Sequence, residues 1–125
     1  MFNFLPEFIR RSYLIVLFCC LSFFFAHNSL AANLYLSPSS GSYEVGKTFT
    51  SSVFVGAKGE SVNSSDASIS FPTEFLEVVS LSKSGSIFSL WVEDPSFSNS
   101  AGSISYVGGL PAPGFSGASG KVLSV

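Results

Sequence analysis

Histidine, cysteine and arginine are nearly missing from this chain, and the few present all lie before residue 28: Arg10, Arg11, Cys19, Cys20 and His27. Beyond that point no side chain offers an imidazole base, a thiol nucleophile or a Cys/His metal set, so the usual acid–base, nucleophilic and zinc chemistries lack their parts. No disulfide can brace residues 33–125 either. Charge is scarce as well, at 11% of residues. Taking Arg10, Arg11 and Glu7 from the 6 basic and 8 acidic residues leaves 4 and 7, a net charge of −3 on the remainder. Phosphate recognition rests on clustered Lys and Arg, so no nucleic-acid partner is expected, and no cofactor or metal is expected.

The overall mean hydropathy of +0.46 owes much to one segment. Arg10 and Arg11 precede the apolar run Leu14–Ala26, which gives way to His27, Asn28 and the small residues Ser29 and Ala31. That order is the n-region, h-region and cleavage site of a secretory signal peptide, predicted over residues 1–32 as a helical leader cut after Ala31 or Ala32. The apolar run is shorter than the roughly 20 residues that a spanning helix needs, so contact with a membrane is expected only in transit through the signal peptide. Phe18 stands where a lipoprotein signal wants a small residue, and the Arg10-Arg11-Ser12-Tyr13-Leu14 string lacks the polar context of a twin-arginine signal. The expected location is secreted, extracellular or at the cell surface.

Residues 33–125 are rich in Ser and Gly, and their apolar residues alternate rather than recur at helical spacing. Alternation bounded by Gly, Pro, Ser or Asn predicts strands at Asn33–Ser37, Thr48–Val55, Ser65–Phe71, Phe75–Ser82, Ile87–Glu93, Ser103–Gly108 and Lys121–Val125. Short strands at this spacing, with no helical pattern, predict an all-β fold: an antiparallel β-sandwich of jelly-roll type. Val122, Leu123 and Val125 read as a last strand just beginning, whose missing partner would leave an exposed edge. The sequence is therefore expected to be a partial domain, incomplete at the C-terminus.

Two carboxylate pairs invite a glycosidase reading, Glu74 with Glu77 and Glu93 with Asp94. The first pair flanks a turn, where solvated charges are the default, and adjacent residues on a strand face opposite ways. No enzyme is expected. Trp91, the only tryptophan, either stacks on a sugar ring or packs in the core or at its edge, and packing is the default. In Ile87–Val92 the alternation sets Phe88, Leu90 and Val92 against Ile87, Ser89 and Trp91, which places Trp91 on the outer face or near a rim. Gly108–Gly120 is a long Gly- and Pro-rich connection with one apolar anchor, Phe115; a loop of this length suits either a functional site or a plain crossover. Asn63-Ser64-Ser65 fits the glycosylation pattern, meaningful only in a eukaryotic secretory host.

Four strings, in order, resemble the cohesin family, the scaffolding modules of cellulosome-type assemblies. They are Val45-Gly46-Lys47-Thr48-Phe49-Thr50, the stretch from Ser68 to Leu81 with its Phe-Pro turn and Leu-Glu-Val run, Gly102-Ser103-Ile104-Ser105-Tyr106, and Gly117-Ala118-Ser119-Gly120-Lys121-Val122-Leu123. The resemblance covers most of residues 33–125 and implies a jelly-roll sandwich related to carbohydrate-binding modules. It places Asp66 where a cohesin aspartate can contact a Ser or Thr hydroxyl of a dockerin, although Ser64 and Ser65 stand where Asn and Cys often accompany it. Without the resemblance, Asp66 reads as a solvated charge at a strand edge.

The sequence thus predicts an exported, non-catalytic cohesin-like module. Its partner would be a dockerin-like protein module or a polysaccharide, in the service of polysaccharide breakdown. The strands carrying Asp66, Ile87–Val92 and Ile104–Val107 would form the binding face, with Asp66, Trp91, Tyr106 and Phe115 as candidate contact residues. A structural spacer in a larger surface or adhesin protein is the alternative.

Overall fold

The structure is a computed structural model that describes residues 31–125. The predicted signal peptide lies outside the described residues except for Ala31 and Ala32, which are exposed and lead directly into the first strand. The described chain is all-β. Its strands are β1 (Asn33–Ser37), β2 (Ser52–Gly56), β3 (Ser64–Ser70), β4 (Leu90–Ser98), β5 (Ser103–Gly109) and β6 (Gly120–Ser124). They form two three-stranded antiparallel sheets, in the orders β1-β2-β6 and β3-β5-β4.

The sheets share one core, as a sandwich requires. Val53 and Val55 of β2 and Val122 and Leu123 of β6 meet Ile104 and Tyr106 of β5, with Val78 and Phe88 entering from the connection between β3 and β4. The alternation in β2 and β5 is the period-2 pattern that puts every second side chain inward. In β6 the pattern breaks, because Val53 pairs with Leu123 and Phe54 with Lys121, leaving Val122 as the extra residue of a bulge. The bulge lets two consecutive apolar residues turn inward. Burial of a side chain of this size contributes about 1.5–3 kcal/mol.

The predicted strands at Asn33–Ser37, Ser65–Phe71, Ser103–Gly108 and Lys121–Val125 match observed strands within a residue. Thr48–Val55 is regular only from Ser52, since before it Ser51 alone pairs, with Val125. The last strand is well paired: β6 lies against β2, and on its other side Ser82 and Ile87 hydrogen-bond to Ser124 and Lys121.

Phe75–Ser82 is not a strand. A turn at 73–75 leads into it, and irregular chain follows, with a single bridge at Ser82. The Asn99 side chain takes the place of a strand partner there, accepting from the Val78 amide at 2.8 Å and donating to the Val78 carbonyl at 3.0 Å. One amide side chain thereby satisfies both backbone groups of a buried residue.

Candidate functional site

The outer face of the β3-β5-β4 sheet presents an organised surface. β5 is the centre strand, and residues opposite one another across a ladder share a face. Ile104, Tyr106 and Gly108 are buried on the core side, so Ser103, Ser105 and Val107 face outward, while Gly109 is itself buried. Asp66 and Glu93 both pair with Val107, one from each side. Ser68 and Ser96 flank Ser105, and Ser70 and Ser98 flank Ser103. One end of the face therefore carries two carboxylates around a valine, and the other carries Ser68, Ser70, Ser96, Ser98, Ser103 and Ser105. The Ser96 and Ser105 hydroxyls lie 3.3 Å apart, close enough to share a hydrogen bond.

A bulge in β4 completes the acidic end. Trp91 pairs with Gly108 and Glu93 with Val107, so Val92 is the extra residue and is thrown outward with Glu93. Val92 is 82% exposed and Leu90, opposite Gly109, is 58% exposed. Strict alternation grouped Leu90 and Val92 with Phe88, but only Phe88 is buried and the other two are exposed; Trp91 packs at the rim, one of the two places expected for it. A second register shift between Glu93 and Ser96 surrounds Pro95, a residue that cannot donate to a ladder. Pro95 was the sequence signal that β4 would not alternate cleanly.

Trp91 points inward at the sandwich rim. Its ring meets Phe88 (centroids 5.9 Å apart, 67°) and Tyr106 (6.1 Å, 73°) edge to face, a favoured aromatic geometry. It lies against Gly108, where a Cβ would come within 2.8 Å of the indole. The Lys83 ammonium sits 5.4 Å from the ring centroid and also pairs with Asp94. Trp91 is therefore not an open platform for a sugar ring.

Tyr106, a candidate contact residue from the sequence, is fully buried opposite Ala67 and cannot reach a partner on the outer face. Its hydroxyl lies 3.2 Å from that of Ser65. Burial pushes its pKa above the ordinary 10.0, the Ser65 hydrogen bond opposes the shift, and the Asp66 charge adds to it. Phe115 is half-buried and pins the long loop: its backbone forms both hydrogen bonds of a bridge with Val62, and its ring packs close to Gly117 and Gly120. It is a loop anchor, away from the face that carries Asp66. Of the four candidate contact residues, only Asp66 stands exposed on that face. Leu90, Val92 and Glu93 join it there, and the sequence reading had not singled them out as contact residues.

No three His, Cys, Asp or Glu residues converge as a metal-holding group among the described residues. Glu93 lies on the outer face, while Asp94 is held by Lys83. Comparisons with protein-family models, with curated proteins and with solved structures found no match to this chain.

Proposed function

We propose that this chain is an exported, non-catalytic binding module of cohesin-like, jelly-roll type, which docks another protein, a dockerin-like module, on the outer face of the β3-β5-β4 sheet. The observation that carries this reading is the grouping of exposed Leu90 and Val92 with Asp66 and Glu93 beside a field of serines. Exposed apolar side chains next to hydrogen-bonding groups supply what a protein interface uses: a desolvated centre and a polar rim. In this reading Asp66, exposed opposite Val107, accepts a hydrogen bond from a partner hydroxyl. On this face a polysaccharide is the weaker ligand, because sugar recognition favours an exposed aromatic face and Trp91 turns inward.

The test is titration calorimetry against a panel of dockerin-like modules, alongside a glycan array. The reading expects one or more modules to bind, Asp66→Asn and the pair Leu90→Ser with Val92→Ser each to weaken binding at least tenfold, and the array to stay silent. Binding that both variants leave intact would overturn the assigned face. A silent panel with a bound glycan would replace the protein partner by a polysaccharide.

A further inference from the structure

The two sheets of the sandwich carry opposite charge. β1 (NLYLS), β2 (SVFVG) and β6 (GKVLS) hold a single charged residue among them, Lys121. β3 (SSDASIS), β4 (LWVEDPSFS) and β5 (SISYVGG) hold Asp66, Glu93 and Asp94, and no Lys or Arg. Asp94 pairs with Lys83, which leaves Asp66 and Glu93 on either side of Val107, with exposed Leu90 and Val92 beside them.

The lone cation stands in a matching row on the opposite outer face. Tyr35 pairs with Phe54 and Phe54 with Lys121, and buried Val53 and Val55 on either side of Phe54 turn that row outward. The Tyr35 and Phe54 rings lie 5.7 Å apart at 18°, and the Tyr35 hydroxyl donates to Ser119 Oγ at 2.6 Å, which fixes the outer ring. Tyr35 is exposed, while Phe54 and Lys121 are half-buried. The Lys121 ammonium reaches past β6 toward Gly85, and among the described residues no carboxylate pairs with it. Each outer face thus joins apolar side chains to charge of one sign. Neither face depends on the domain being complete, because a strand added to a sheet lengthens it at an edge and leaves its outer face as it is.

We infer that copies of this chain stack head to tail, the Tyr35–Phe54–Lys121 row of one copy on the Asp66–Val107–Glu93 row of the next. Charge dictates the pairing. Two like faces brought together set like charges opposite one another, whereas unlike faces set one cation between two carboxylates and aromatic rings against Leu90 and Val92. The excess of 7 acidic over 4 basic residues beyond the leader does not forbid this. The far face of each copy lies beyond a sheet separation of about 10 Å, more than the screening length of about 8 Å at physiological salt, so the faces in contact decide. The two outer faces of a sandwich point in opposite directions, so the contact is heterologous and repeats without closing, which makes a linear array rather than a symmetric dimer. Stacking does not rest on the docking reading: it uses the same β3-β5-β4 face, and a dockerin-like module bound there would displace the next copy.

The experiment is sedimentation velocity of the purified protein from micromolar to millimolar concentration, at low and high salt, on the wild type and two charge-reversed variants. One variant is Lys121→Glu, and the other carries Asp66→Lys with Glu93→Lys. The wild-type mass is expected to grow past that of a dimer as concentration rises, and to grow less in high salt. Each variant alone presents like charges on both faces and is expected to associate at least about fivefold more weakly. An equal mixture of the two, in which every contact again joins opposite charges, is expected to regain the wild-type behaviour. Tyr35→Ser, which removes a ring and no charge, is expected to weaken association and leave its salt dependence unchanged. The inference is overturned if the wild type stays monomeric at millimolar concentration and low salt, or if its mass stops at a dimer, the sign of a closed contact between like faces. It is equally overturned if the mixed variants, both folded by circular dichroism, associate no better than either alone.

Discussion

Asn99 holds Val78 by both of its backbone groups, at 2.8 Å and 3.0 Å, across the interior of the long β3-to-β4 connection. A side chain in the β4-β5 turn thus does the work of a ladder for a segment that has none. Asn99→Ala removes both partners and is expected to cost about 1–3 kcal/mol, the range for stranding buried polar groups. Asn99→Asp keeps the acceptor and loses the donor, so it should fall between the two. Urea unfolding of the three proteins, with unchanged slope, checks this.

The β4 bulge makes a contrast that alternation alone would invert. Val92→Thr should leave stability within about 0.5 kcal/mol, because the residue is almost wholly solvated. Leu123→Ala, at a fully buried position, should cost about 2–5 kcal/mol. The same urea titrations distinguish them, and a large loss at Val92 would show that the bulge is misplaced.

Gly108 leaves room for the Trp91 ring on the inner surface of the sheet. Gly108→Ala pushes a Cβ into the indole and is expected to cost about 1–3 kcal/mol, as overpacking does. The displaced ring should also emit at longer wavelength. Trp91 is the single tryptophan of the chain, so the emission reports on this contact alone.

The pH dependence follows from Tyr106. Its pKa is raised in the folded state above the ordinary 10.0, so the folded form holds its proton where the unfolded form releases it. Stability is unaffected by this group below that pH and falls as pH rises past it. Tyr106→Phe should flatten the alkaline limb of a stability-against-pH curve, at some cost at neutral pH from the lost Ser65 contact. Absorbance at 295 nm should show one phenol titrating late in the wild type.

By contrast, the Lys83–Asp94 pair is exposed on both sides. A double-mutant cycle with Lys83→Ala and Asp94→Ala should give a coupling of about 0–1 kcal/mol that salt weakens further. A larger coupling would mean that the contact of Lys83 with Trp91 acts together with the ion pair.

Alternation in the sequence determined the all-β class and, within a residue, four of the strands, because a half-buried pleated strand writes its period of two directly into the chain. Asp66 was legible as an outward residue of β3 for the same reason. What alternation could not carry was everything that depends on a second segment. The Phe75–Ser82 run has strand-like residues but no ladder partner, and a distant asparagine satisfies Val78 instead. β4 shifts register twice against β5, which turns Val92 and Glu93 outward and Trp91 inward. Tyr106 and Phe115 look like contact residues in isolation, yet one is sealed in the core and the other fastens a loop. Local pattern sets which residues can face a core, and only the pairing of strands far apart in the chain decides where that core is and which edges it leaves open.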